Sequence, residues 1–359
     1  MTNPLLTPFS LPPFSAIKPE HVVPAVTKAL EDCRAAVESA VAHGAPYSWE
    51  NLCQPLAEVD DVLGRIFSPV SHLNSVKNSP ELREAYEQTL PLLSEYSTWV
   101  GQHEGLYKAY RDLRDGDNYA TLNTAQKKAV DNALRDFELS GIGLPPEAQK
   151  RYGEIAARLS ELGNQYSNNV LDATMGWNKL VTDVADLAGM PEALAFISGH
   201  YETGEPLPQA LLEKMLAAKN YQAAMFILRQ LEFGLFDFRL HAEYKPEQGA
   251  KILETLAEIK KQVAVVPGPT WGRFPHAFSH IFAGGYAAGY YSYLWADVLA
   301  ADAFSRFEEE GIFNRETGQS FLDNILSRGG SEEPMELFKR FRGREPQLDA
   351  MLEHYGIKG

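Results

Sequence analysis

The sequence predicts a mainly α-helical protein, and three observations carry that expectation. Apolar residues recur every three or four positions rather than every second one, helix-start residues sit where those stripes begin, and a β-like run occurs only once. At 359 residues with 45% apolar and 23% charged residues, the chain is long enough for a sizeable buried core and ordinary in globular composition.

Taken in order, "MTNPLLTPFSLPPFS" is broken by Pro4, Pro8, Pro12 and Pro13 and has no basic start, so it does not read as a signal peptide. Val22, Val26, Leu30, Cys33, Val37 and Val41 form a first stripe, closed by Gly44 and Pro46. Leu52, Leu56, Val59, Leu63, Ile66, Val70 and Leu73 form a second. Ser79 followed by Pro80 is a cap and first-turn pair for a third helix. After the "GIGLPPE" break, Tyr152, Ile155, Leu159, Leu162, Tyr166 and Val170 form another stripe, read like the others as core.

The segment "DVADLAGMPEALAFISGHYETGEPLP" shifts from an acidic, alanine-rich pattern to one broken around Pro206 and Pro208, a soft boundary. Beyond it, Leu211 to Leu240 runs long and apolar with one internal glycine, and Leu299 to Glu310 and Pro334 to Arg340 continue the helical pattern. The β-like run is "QVAVVPGPT", where Pro267-Gly268-Pro269 requires a turn or loop.

Charge and cysteine content narrow the function. Forty-eight Asp and Glu against 33 Lys and Arg give a net charge of −15, which repels phosphate backbones and anionic lipid, so neither nucleic acid nor membrane is expected as a partner. Cys33 and Cys53 are the only cysteines, too few for a disulfide framework, and fit a reducing, cytoplasmic location. The stretch "RFPHAFSHIFAGGYAAGYYSYLWADV" carries no formal charge between Arg273 and Asp297, yet its glycines, serine and histidines make it too polar to span a bilayer.

That stretch also holds the residues with chemical potential. His276 and His280, spaced H-x-x-x-H, would share one face of a helix within reach of one zinc ion, but two ligands are not three, and Ala277 stands where a peptidase motif needs glutamate. No H-E-x-x-H occurs anywhere, and G-x-S-x-G, G-x-x-x-x-G-K-[ST] and G-x-G-x-x-G after a strand are missing too. His103 with Glu104 and His200 with Glu202 read as surface pairs at helix ends. Tyr286, Tyr290 and Tyr293, at i, i+4 and i+7, would align three phenols on one helical face. That stripe reads either as packed core or, with Gly284-Gly285 admitting a close backbone and phenols offering O–H donors, as a wall facing a reacting carbonyl.

These residues resemble the thimet-oligopeptidase family of zinc metallopeptidases. The similar passages are "EHVVPAVTKAL", "WENLCQPLAEVDD", "FSPVSHLNSVKNSPELREAYE", "LRDFELSGIGLP", "GPTWGRFPHAFSHIFAGGYAAGYYSYLWADVLAADAF" and "GGSEEPMELFKRFRGREPQLDAMLEHYGI". The chain up to "LAGMPE" is similar to the family's N-terminal part, whereas "PEALAFISGHYETG" is similar to a region far downstream of the zinc motif. A seam therefore falls at Pro191-Glu192, and the family's H-E-F-G-H helix, its downstream glutamate ligand and the adjacent glycine-rich loop have no counterpart.

The resemblance implies a helical, two-lobed zincin-like oligopeptidase fold lacking its central catalytic portion. It implies an N-terminal helical domain over 1–190 and the C-terminal part of the peptidase domain over 191–359. In the family one zinc ion polarises the scissile carbonyl and activates water, and short, unstructured peptides are the substrates. Carried over by position, Tyr286, Tyr293 and His280 take the oxyanion and catalytic roles, and Tyr290, Gly284 and Gly285 the substrate contacts. With the metal motif gone, no zinc is expected to bind stably and the chain is expected to be inactive. The alternative is a non-catalytic helical remnant that binds peptides or serves as an interaction module.

Overall fold

The computed structural model describes residues 3–176, 214, 218–266, 268, 269 and 271–357. The chain divides into two compact units, Met1–Gln165 with Leu326–Leu337, and Tyr166–Ile325 with Phe338–Gly359. The expected boundary at 190/191, the Pro191-Glu192 seam, Pro206, Pro208, His200 and Glu202 all lie outside the described residues.

In the first unit the expected helices form as α1 (Pro19–His43), α2 (Gln54–Val76) and α3 (Pro80–Gly101), followed by α4 (Glu104–Asp115), α5 (Asp117–Thr121), α6 (Thr124–Leu139) and α7 (Pro146–Met175, up to Gln165 in this unit). Ser79 caps α3 as its sequence requires, its Oγ accepting the Leu82 N–H at 3.2 Å. Gly44 ends α1 at φ +71°, a region a side chain resists. His103 caps α4, its Nδ1 accepting the Leu106 N–H at 3.0 Å, which gives this helix-end histidine a structural task.

The stripe on α1 is core along its length, and it serves two clusters. Val22, Val26, Leu30 and Cys33 pack against Ile66, Val70 and Leu82 of α2 and α3. Val37 and Ala40 pack with Leu52, Leu106, Leu113, Val130 and Phe137. Each such valine or leucine contributes about 1.5–3 kcal/mol by leaving water, so α1 is the central post of the unit. Both thiols are buried within these clusters, and desolvation pushes each up to about 11.

The stripe on α7 departs from expectation. It is helical, but Ile155, Leu159 and Leu162 are 45%, 64% and 41% exposed. The helix instead turns its small and polar face to α3, where Gly153 sits against the Thr98 methyl and Asn164 donates to Glu87 at 3.2 Å. A periodic apolar face becomes core only where another element covers it: Tyr166 packs on Phe282 at 5.4 Å, whereas Ile155, Leu159 and Leu162 stay largely open among the described residues.

The second unit contains α8 (Ala223–Ala242), α9 (Ile252–Val263), α10 (Ser279–Phe282), α11 (Ser292–Glu310), α12 (Arg315–Phe321), α13 (Pro334–Arg342, from Phe338 onward in this unit) and α14 (Asp349–His354). The apolar run expected from Leu211 is interrupted before α8, where Gln222 adopts φ +55° and the preceding residues turn. The β-like "QVAVV" forms no strand: Val263 closes α9, and Val265 and Val266 follow as exposed bends. β propensity is realised only against a partner strand, and no strand occurs among the described residues.

Phe236, Leu256, Ile259, Phe278, Ile281 and Tyr290 form one core of this unit. Ala303, Phe338 and Phe341 form another. Beside the latter, fully buried Asp302 on α11 accepts hydrogen bonds from Arg342, Arg344 and the Gln347 N–H, tying the C-terminal segment to α11.

Candidate functional site

Residues 273–298 do not make one continuous helix. Phe274–Ala277 is a single tight turn, α10 is four residues long, and α11 begins only at Ser292. Phe278, at φ −85° and ψ 65°, separates the first two. The helical H-x-x-x-H face expected for His276 and His280 is therefore broken: His276 Nδ1 lies 3.3 Å from the Arg273 carbonyl, while His280 Nδ1 is turned to the Tyr286 hydroxyl.

The expected single face of Tyr286, Tyr290 and Tyr293 is broken for the same reason, since the chain between Ala283 and Tyr291 runs through turns. Gly285 adopts φ +78° and Ala288 φ +58°. The turn brings the phenols together by another route. The Tyr286 hydroxyl is hydrogen-bonded to His280 Nδ1 and lies 3.1 Å from the Tyr293 hydroxyl. Tyr290 turns inward, 8% exposed, and donates to Gln230 Oε1 at 3.0 Å, with its ring edge-on to Phe278 at 5.1 Å. The two readings of the tyrosine stripe are thus divided among its members: Tyr290 is core, and Tyr293 is 48% exposed.

Gly284 has no spare room. A Cβ there would collide with the His280 carbonyl oxygen and come within 2.7 Å of the Tyr286 ring. The close approach that glycine permits is used by the protein's own chain. Gly285 stands in open space, and only its positive φ demands glycine.

His280, Tyr286 and Tyr293 form a short hydrogen-bonded relay with two possible directions. If His280 Nδ1 carries the proton, it donates to Tyr286, Tyr286 donates to Tyr293, and the Tyr293 O–H is left to donate outward. If Nδ1 is bare, Tyr286 donates to it and accepts from Tyr293. Desolvation, followed by the Tyr293 hydrogen bond, pushes the Tyr286 phenol up to about 12, so it holds its proton at neutral pH. Desolvation, with the neighbouring Tyr293, raises Tyr290 as well.

Two residues of α8 that sequence reasoning passed over complete the arrangement. Gln230 receives the Tyr290 hydroxyl. Asp237, 1% exposed, accepts the backbone N–H groups of Ala288 and Tyr290, each at 2.8 Å, and lies 3.1 Å from His241 Nδ1. The available signal was an aspartate set between Phe236 and Phe238.

The described residues do not assemble a zinc site. His280 Nδ1 is engaged with Tyr286, His276 is directed elsewhere, and among the described residues no three His, Cys, Asp or Glu side chains gather where one metal could be held. Among the described residues, likewise, no helix is long and apolar enough to cross a membrane.

Residues 186–357 match peptidase family M3, and residues 23–149 match the neurolysin/thimet oligopeptidase N-terminal domain. Oligopeptidase A of Salmonella typhimurium is 49% identical and that of Escherichia coli 48% identical, each over 680 aligned residues covering 100% of both chains. Nearly half of those 680 positions can hold no residue of a 359-residue chain, which fits an internal deletion or truncation. The organellar oligopeptidase A of Arabidopsis thaliana is 46% identical over 170 residues, 46% of this chain and 22% of that one.

Proposed function

Since the chain belongs to peptidase family M3, we propose that it is a derivative of a cytosolic zinc oligopeptidase that keeps the substrate-holding wall and has lost peptide hydrolysis. The observation that carries this reading is the joint occurrence of matched flanks and a sequence without H-E-x-x-H. M3 peptidases are zinc-dependent in general, and when bound the metal polarises the scissile carbonyl and activates water. Removing one oxyanion donor typically costs about 10²–10³ in rate. Removing metal, water activation and general base together takes away the mechanism itself.

What this chain's own residues retain is recognition chemistry. The exposed Tyr293 hydroxyl, polarised through Tyr286 and His280, is placed to donate to a peptide carbonyl, and Tyr290 braces it from below at a ring distance of 5.1 Å. A short unstructured peptide is the ligand such a wall suits, because its carbonyls are unpaired. This favours peptide holding without cutting as the second reading.

Incubation of the purified chain with zinc and a quenched short peptide tests the first reading. No turnover is expected; metal-dependent, chelator-sensitive cleavage that disappears in Tyr293→Phe would overturn it. Calorimetric titration with short peptides tests the second, and binding heat that survives Tyr286→Ala and Tyr290→Ala would exclude the wall as the binding site.

A further inference from the structure

A carboxylate is among the least favourable groups to bury, and Asp237 is 1% exposed in the middle of an aromatic helix face. Among the described residues its ion-pair contact is His241, whose Nδ1 also lies 2.7 Å from the Asp237 carbonyl. Among the described residues neither oxygen is spent on an arginine or lysine. Instead Oδ1 accepts from Ala288 N and Oδ2 from Tyr290 N, both at 2.8 Å, across 51 and 53 residues of chain.

Those two N–H groups belong to the turn that decides where the phenols go. Ala288 is held at φ +58°, a conformation alanine resists, so something outside the residue must stabilise it. Gly289 follows, where a Cβ would lie 2.8 Å from the Tyr286 carbonyl oxygen, so the chain folds tightly back on itself at this point. Tyr286 precedes the turn and Tyr293 follows it, and only the reversed chain brings their hydroxyls to 3.1 Å.

We propose that Asp237 is the positioning residue of the tyrosine wall. Its two carboxylate oxygens grip the Ala288 and Tyr290 N–H groups and so fix the turn that delivers the Tyr286 hydroxyl to His280 and Tyr293. The inference rests on the reading of this segment as a peptide-holding wall, and it goes beyond that reading by naming what sets the wall's geometry.

The test uses the full chain with labelled histidine, the His280 ring signal being assigned through His280→Gln. Asp237→Asn keeps one acceptor and replaces the other with an amide donor facing a backbone donor, so the turn loosens. The His280 signal is expected to move toward its position in Tyr286→Phe, and peptide binding to weaken roughly tenfold or more. Ala288→Gly in the Asp237→Asn background removes the need to force a positive φ and is expected to restore much of the His280 signal. A merely structural loss would not be rescued this way.

An unmoved His280 signal in a folded Asp237→Asn protein, or no rescue by Ala288→Gly, would overturn the proposal. Should Asp237→Asn not fold, amide exchange in the unaltered chain decides: the Ala288 and Tyr290 N–H groups are expected to exchange far more slowly than that of Ala287, and fast exchange at both would overturn it. No peptide heat in the unaltered chain would end the binding reading alone, because the His280 and exchange results do not depend on ligand.

Discussion

The hydroxyls of Tyr286 and Tyr293 lie 3.1 Å apart although no continuous helix joins the two residues. Their seven-residue spacing suits a helix, yet their meeting comes from a reversed chain, and the chemistry of the wall depends on that reversal.

The first prediction concerns alkaline pH. Desolvation and the Tyr293 hydrogen bond hold the Tyr286 phenol at about 12, above the ordinary value of 10.0. A folded-state value raised above the unfolded one gives stability that is complete below about pH 10 and lost as pH rises from about 10 toward about 12. Melting temperature measured across that window should fall more steeply in the unaltered chain than in Tyr286→Phe.

Gly284→Ala should dismantle the wall from a position with no chemistry of its own. The added Cβ collides with the His280 carbonyl, which is backbone and cannot swing away, and presses on the Tyr286 ring. A loss of about 1–3 kcal/mol is expected by denaturant unfolding. Gly285→Ala meets no atoms and should lose only about 1–2 kcal/mol from its positive φ.

Asp302 makes the second unit sensitive to acid. Burial alone would raise its carboxyl, but Arg344, the Gln347 N–H and Arg342 outweigh burial and hold it below the usual carboxylate range. Its contribution is therefore present above the unfolded value near 3.8 and lost as pH falls below it. Asp302→Ala, which takes the buried carboxylate from both Arg342 and Arg344 and leaves mostly buried Arg342 paired with Glu309, should cost about 3 kcal/mol near neutral pH and flatten the acid limb of the stability profile.

The face of α7 should make the protein associate. Ile155, Leu159 and Leu162 present an apolar row to solvent. Light scattering is expected to show apparent mass rising with concentration, and lysine at both 155 and 159 should reduce that rise while leaving helix content unchanged. A concentration-independent monomer in the unaltered chain would contradict this.

Much of the fold was legible because it is locally written. The α1 stripe from Val22 to Val37 is spaced for one helical face and is buried along that face, and Ser79-Pro80 starts α3 as those residues demand. The α7 stripe is spaced just as regularly, yet its Ile155, Leu159 and Leu162 are exposed, since periodicity reports that a face is apolar and cannot report what covers it. The run "QVAVV" has β-favouring residues and, among the described residues, no strand to pair with, so its outcome lay outside its own sequence.

The sequence by itself determined the helical class, the acidic balance, the absence of H-E-x-x-H and the set of histidine, glycines and tyrosines from which a wall could be made, because each is a property of residue identity or short spacing. Tertiary structure alone decided that Tyr290 goes inward while Tyr286 and Tyr293 pair, and that His276 and His280 part company. The reason is physical: the reversed turn and the inward Tyr290 are held by hydrogen bonds donated to Asp237 and Gln230, more than fifty residues away along the chain, while the break at Phe278 separates the two histidines.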